Sequence, residues 1–194
     1  AREKALEIDE RGFESEMEEQ RERARDASQF GSQEDIEWQV LTEGEDSRFV
    51  GYDTLKTQST IRKVAQQNGK SVLLLDQTPF YGESGGQAGD KGMIEGKGFK
   101  LKVTDTRKAG DQFIHWGILT KGSQIDNPDV VAKVDIEKRR ATERNHTTTH
   151  LLHKALKKVL GDHVNQAGSL VAPDHLRFDF NHFDAMTPDQ ISAV

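Results

Sequence analysis

The 194-residue sequence contains no cysteine, which excludes disulfide bonds and thiolate metal ligands within this chain. It also lacks any apolar run long enough to cross a membrane or to form the core of a signal peptide. The net charge of −6 argues against an indiscriminate nucleic-acid binder, although a local basic patch could still contact phosphates. We therefore expect a cytoplasmic protein of one domain or two small subdomains, with no membrane partner.

The sequence patterns predict an α+β architecture in three parts. Residues 1–30 are rich in Glu and Arg with sparse apolar positions, typical of a solvated linker helix. Residues 31–135 alternate short β-rich runs with turn signals such as Asn68-Gly69, which predicts a small antiparallel β-barrel. Residues 136–194 contain a long helix followed by two strands, Val164–Val171 and Leu176–Phe180. The strands predicted for the barrel are Ile36–Leu41, Arg48–Tyr52, Thr57–Val64, Ser71–Leu75, Phe99–Thr104, Gln112–Leu119 and Val130–Val134.

The helix predicted over Val134–Leu160 carries three histidines beside its apolar stripe. At about 100° per residue, His146, His150 and His153 share one narrow face, so we expect their imidazoles to be partly sheltered from water. His146 and His150 are one turn apart, the spacing at which two imidazoles reach one metal ion. Thr147 replaces the glutamate of the HExxH metalloprotease motif and excludes that motif. A helix with scattered polar histidines is the alternative interpretation.

A glycine-rich stretch over residues 78–92 is the second candidate site. Backbone N–H groups around Gly85, Gly86 and Gln87 could contact a phosphate or the sugar of a nucleotide. Neither a P-loop nor a dinucleotide-binding fingerprint fits this stretch. A long loop between strands is the alternative.

The first turns of the histidine helix form the most sustained basic cluster of the sequence. They carry Lys138, Arg139, Arg140 and Arg144, although cations are not favoured at a helix N-terminus. We therefore expect these side chains to contact the phosphates of a nucleic acid, and the three arginines are candidate tRNA contacts.

Five stretches in the same order resemble the editing region of alanyl-tRNA synthetases. Its glycine motif resembles Phe80-Tyr81-x-Glu83-x-Gly85-Gly86-Gln87-x-x-Asp90-x-Gly92, and its HxxxH motif resembles Arg144-x-His146-Thr147-Thr148-Thr149-His150-Leu151-Leu152-His153. The strands that follow in that family resemble Gln166-x-Gly168-Ser169 and Leu176-Arg177-Phe178-Asp179-Phe180. The helix that precedes the editing region resembles the segment that begins at Gly12-Phe13-Glu14. The resemblance covers nearly the whole chain.

The resemblance implies part of an enzyme that activates alanine with ATP and Mg²⁺ in an upstream domain and loads it onto tRNA. The editing region of that family hydrolyses seryl- or glycyl-tRNA made in error, because a pocket for a small side chain cannot strongly reject serine or glycine. By resemblance, His146 and His150 would be two of four zinc ligands. Thr149, Gln166 and Arg177 would line the pocket that receives the acceptor end of tRNA(Ala), and Thr149 would offer its hydroxyl to the seryl side chain.

The CxxxH motif that completes the zinc site in that family is absent from this sequence. We therefore expect an incomplete zinc-type editing subdomain over residues 136–194 and a chain that is nearly inactive by itself. Thr187-Pro188-Asp189 starts a helix that has less than two turns, which predicts a longer polypeptide with the remaining domains of the synthetase as partners. A free-standing editing deacylase and a non-catalytic tRNA-binding β-barrel are the alternatives.

Overall fold

The computed structural model describes Gly12, Met17, residues 36–45 and residues 47–194. Most of the linker helix predicted over residues 1–30 lies outside the described residues. The chain divides into two compact units between Glu37 and Trp38, and all the described strands belong to the second unit. No helix within the described residues is long and apolar enough to span a membrane.

Eleven strands and two helices follow one another in the second unit. The strands are β1 Gln39–Val40, β2 Arg48–Phe49, β3 Lys56–Gln67, β4 Lys70–Leu75, β5 Gln77–Thr78, β6 Gly92–Gly96, β7 Phe99–Ala109, β8 Gln112–Lys121, β9 Asp129–Val134, β10 Gln166–Val171 and β11 Leu176–Phe180. The helices are α1 Ile136–Leu160 and α2 Pro188–Ala193.

Six of these strands close into an antiparallel barrel in the order β3-β4-β8-β7-β6-β9, and β9 pairs back to β3. The prediction of a small antiparallel barrel is therefore confirmed. Alternation along β7 shows how the barrel forms, because Phe99, Leu101 and Val103 are buried while the residues between them face outward. The core inside the barrel is aliphatic and aromatic and includes Ile61, Leu73, Leu75, Phe80, Ile94, Ala132 and Val134.

Local turn chemistry explains the best-predicted hairpin of the barrel. Asn68 and Gly69 join β3 to β4 with φ values of 51° and 73°. Positive φ at both central residues matches the twist of the two flanking strands. The predicted strand at Arg48–Tyr52 is shorter than expected, because the chain turns at Gly51 after β2. The sequence pattern did not predict β6. This strand has only five residues, and its first and last residues, Gly92 and Gly96, are glycines, which are uncommon in strands.

A buried histidine connects three strands inside the barrel. His115 Nδ1 lies 3.2 Å from Leu73 O, and its Nε2 lies 2.8 Å from Thr78 Oγ1, which accepts from the Phe80 N–H. Burial lowers the pKa of the His115 imidazole to about 4, although the hydrogen bond to Leu73 opposes that shift. An exposed histidine in the unfolded chain takes up its proton near pH 6.5. The contribution of neutral, buried His115 to the stability of the folded protein is therefore complete above pH 6.5, and it is lost as the pH falls towards 4.

After the barrel, α1 packs against the β10–β11 hairpin. Asp135 caps the helix by accepting from the Lys138 N–H, and Gly161 ends it in a conformation with φ of 113°. Leu156 is buried on the packed face of α1. Together the barrel, α1 and the hairpin confirm the α+β class.

Candidate functional site: a histidine pair beside the glycine motif

His146 and His150 lie one turn apart on α1, with ring centroids separated by 5.0 Å. Both residues are exposed, so the expectation of sheltered imidazoles was wrong for this pair. His153 differs, because its Nε2 lies 3.3 Å from Val164 O and its ring lies 5.1 Å from that of Phe178. Of the three histidines predicted on one face, His146 and His150 are thus exposed, whereas His153 packs against β11.

The glycine motif reaches the histidine pair through one side chain. Gln87 Oε1 lies 2.8 Å from His146 Nδ1, although 59 residues separate them in sequence. With Oε1 as the acceptor, Nδ1 is the donor, and in that tautomer the lone pair of Nε2 is available. Metal-binding histidines commonly use such an outer partner to fix their tautomer and orientation. The contact with Gln87 therefore holds the His146 ring in one orientation.

Backbone contacts with β10 hold the glycine motif in place. The Val171 N–H donates to Gly86 O over 2.8 Å, and the Ala88 N–H donates to Val171 O over 2.9 Å. A Cβ at Gly86 would stand 2.5 Å from Ser169 O, and Gly86 has a φ of 84°. Glycine is required here because the loop runs against the hairpin as a neighbouring strand does. The loop thereby joins the barrel to the β10–β11 hairpin.

The tip of the glycine motif is a tight turn. Ser84 and Gln87 exchange two backbone hydrogen bonds of 3.2 and 3.0 Å. The Gln87 N–H is consequently used inside the protein, which corrects the expectation that it contacts a phosphate. Gly85 lies at the exposed tip, with a φ of 59° and open space where a side chain would be.

Arg139 was predicted to contact the phosphates of a nucleic acid at the surface. Its side chain is buried instead. It forms a buried ion pair with Asp90, and the two side chains are 7% and 6% exposed. Its Nη1 also donates to Gly51 O over 3.0 Å and its Nη2 to Pro79 O over 2.9 Å. Asp90 in turn accepts from the Tyr81 N–H over 2.8 Å. The interpretation of Arg139 as a tRNA contact is therefore wrong, because its guanidinium binds the glycine motif to α1.

The other two arginines of the predicted basic cluster face outward. Arg140 is exposed and lies 2.8 Å from Glu143 Oε2, a pair that contributes little to stability at the surface. Arg144 is exposed on the same helix. Both remain accessible to an anionic partner.

The three residues predicted to line a pocket lie on α1, β10 and β11. Thr149 is buried, and its hydroxyl donates to a backbone carbonyl one turn earlier over 2.9 Å. Gln166 is exposed and donates to Ser169 Oγ over 3.0 Å. Arg177 is exposed and donates to Asp179 Oδ2 over 3.1 Å. Within the described residues no hydrogen bond joins any two of the three, although their elements pack together.

The donor set fits half of a zinc site. Ring centroids 5.0 Å apart allow both imidazoles to face one ion, and neutral imidazole nitrogen is a preferred zinc ligand. In the part of the chain that the structure describes, however, no group of three His, Cys, Asp or Glu side chains gathers at one point. A second histidine contact, between His163 Nε2 and His182 Nδ1 at 2.9 Å, was not predicted, because 19 residues separate the two.

Comparison with known proteins finds one family model and several curated relatives that match this chain. The family model described as tRNA synthetases class II (A) matches residues 1–138. The alanine–tRNA ligase of Chromohalobacter salexigens is 46% identical over 203 residues, and that of Halorhodospira halophila is 48% identical over 204 residues. Each alignment covers 100% of this chain and 23% of the relative. The alanine–tRNA ligase of Pseudomonas entomophila is 46% identical with the same coverage. The chain thus spans about a quarter of the length of these curated relatives.

Proposed function

Because the chain belongs to the class II (A) tRNA synthetase family, we propose that it forms the editing region of an alanine–tRNA ligase. In that role it removes serine or glycine that has been loaded onto tRNA(Ala) in error. The contact between Gln87 and His146 carries the proposal, since it brings the two resemblance motifs together at one exposed place. Alanine activation with ATP and Mg²⁺ belongs, in this proposal, to other domains of the same enzyme.

The reaction proposed is hydrolysis of the ester that joins an amino acid to the 3′ end of tRNA. His146 and His150 would hold a zinc ion, which supplies a Lewis acid for an ester carbonyl or a water molecule. Gln87 fixes the tautomer of His146 so that Nε2 presents its lone pair. The Thr149 oxygen, whose proton is already donated to the helix backbone, can accept a hydrogen bond from a seryl hydroxyl. Recognition of that hydroxyl would give the selectivity against serine that the first pocket lacks.

Gln166 offers a direct test of the proposal in the full-length enzyme. If Gln166 lines the editing pocket, Gln166→Ala should slow hydrolysis of Ser-tRNA(Ala) and leave alanine activation unchanged. The matched control is Gln66→Ala, because Gln66 donates to Ser71 Oγ over 2.9 Å on the barrel much as Gln166 donates to Ser169. The control should change neither reaction. Equal loss of hydrolysis and activation in Gln166→Ala would contradict the proposal.

A second candidate function is a non-catalytic tRNA-binding module. Within the described residues only His146 and His150 come together as potential zinc ligands at this site, and no third one joins them. For the isolated chain this favours the tRNA-binding module over the zinc-dependent hydrolase. Zinc titration of this chain and of the full-length enzyme separates the two functions. Weak binding by the chain and tight binding by the enzyme, lost in His146→Ala, would support the editing site. Equally weak binding by both would favour the RNA module.

A further inference from the structure

The outer face of the barrel carries a row of lysines that only strand pairing brings together. Lys102 of β7 pairs with Met93 of β6. Met93 pairs with Lys133 of β9, and Lys133 pairs with Lys56 of β3. Residues directly opposite one another in antiparallel strands project from the same face of the sheet. The three lysines are exposed, so the row lies on the outside of the barrel.

The row places like charges side by side without a compensating acid. Lys56 and Lys133 are direct partners, so their Cβ atoms are about 5 Å apart, an arrangement that disfavours folding when both side chains are cationic. No carboxylate among the described residues lies within ion-pair distance of Lys56, Lys102 or Lys133. The nearby Glu95 forms its ion pair with Lys100, at 3.0 Å, and with none of the three row lysines. The row therefore presents uncompensated positive charge on a protein whose net charge is −6.

A cavity of about 440 Å³ extends the positive surface towards the start of α1. Four lysines line it, namely Lys91, Lys102, Lys133 and Lys138. Its one acidic lining residue is Asp135, which is already engaged as the helix cap and in a 3.1 Å ion pair with Lys138. The two row lysines, Lys102 and Lys133, thus remain to neutralise an anion in this cavity.

We propose that this lysine row binds the sugar–phosphate backbone of an RNA, which under the function proposed above is tRNA(Ala). The row runs across four neighbouring strands, about 14 Å at the usual strand spacing. A line of charges of that length suits the repeating phosphates of a strand better than one compact phosphate ion. Lysine contacts phosphate as a point charge and reads no base, so the contact is independent of sequence and positions the RNA.

The test uses this chain and a tRNA(Ala) transcript, with binding measured by fluorescence anisotropy over a series of salt concentrations. The row variant replaces the three lysines by glutamine, as Lys56→Gln, Lys102→Gln and Lys133→Gln. The control variant removes the same charge from exposed lysines outside the row, as Lys70→Gln, Lys97→Gln and Lys158→Gln.

Removal of the row should reduce the slope of log Kd against log salt by about two to three, and affinity at low salt should fall about tenfold or more. The control should keep a steeper slope than the row variant. Thermal unfolding should show no loss of stability in the row variant, because Lys56 and Lys133 repel each other in the unaltered protein. That result would separate a binding defect from a folding defect.

Three results would overturn the proposal. They are an unchanged slope in the row variant, an equal decrease in the row and control variants, and no binding of the transcript by the unaltered chain. None of these results decides whether the full-length enzyme hydrolyses Ser-tRNA(Ala), which the Gln166 experiment tests separately. The failure of the lysine row is therefore distinguishable from the failure of the editing proposal.

Discussion

Replacement of Arg139 by methionine would leave the buried carboxylate of Asp90 without its cation. The two side chains are 7% and 6% exposed, so water cannot solvate the remaining charge. Breaking a buried ion pair by removing one partner costs about 3–5 kcal/mol. Arg139→Met also leaves the carbonyl groups of Gly51 and Pro79 without a donor. We expect a loss of about 4 kcal/mol in the free energy of unfolding.

Urea denaturation monitored by circular dichroism measures this loss. With a slope of about 2 kcal/mol per molar urea, the midpoint should fall by about 2 M. Adding Asp90→Asn to Arg139→Met should recover about 1–2 kcal/mol, because the neutral amide needs no counter-charge. Arg140→Met is the matched control, since its exposed pair with Glu143 should change stability by less than about 0.5 kcal/mol.

The opposite pattern would refute the structural role of Arg139. If Arg139→Met cost less than about 1 kcal/mol and instead weakened tRNA binding, the arginine would be a phosphate contact as its sequence position suggested. If Asp90→Asn deepened the loss in the double variant, the two residues would not act as a pair.

Three further predictions follow from other parts of the structure. Because burial holds the pKa of His115 at about 4, the unaltered protein should lose about 3 kcal/mol more stability between pH 7 and pH 4 than the His115→Gln variant does, measured by urea denaturation at each pH. Equal losses in the two proteins would contradict that pKa. Gly89→Ala should cost about 3 kcal/mol, since its Cβ would overlap a backbone carbonyl of β7, whereas Gly85→Ala, which faces open space at positive φ, should cost about 1 kcal/mol in the same assay. Equal costs would show that the loop moves away freely. Nitrogen NMR should show the proton of neutral His146 on Nδ1, and Gln87→Leu should shift it towards Nε2. An unchanged tautomer would exclude Gln87 as the residue that orients this imidazole.

Local signals in the sequence were sufficient where the structure depends on neighbouring residues. The helix predicted over Val134–Leu160 is α1 at Ile136–Leu160, because a capping aspartate and a terminal glycine mark its ends. The predicted strand Leu176–Phe180 is β11 with the same bounds, since apolar and charged residues alternate along it. By contrast, β6 forms because β7 and β9 supply hydrogen-bond partners on both sides of a short segment between two glycines.

The sequence by itself determined the barrel, the histidine helix and the family resemblance, because periodicity, turn residues and short motifs are properties of adjacent positions. The tertiary structure decided which side chains meet. From its neighbours in sequence, Arg139 is predicted to be a surface cation. The structure places it in a buried ion pair with Asp90, which is 49 residues away. Gln87 acquires its role only when the loop docks on β10 and reaches His146. Such contacts depend on strand register and on the packing of distant segments, and no pattern among neighbouring residues encodes them.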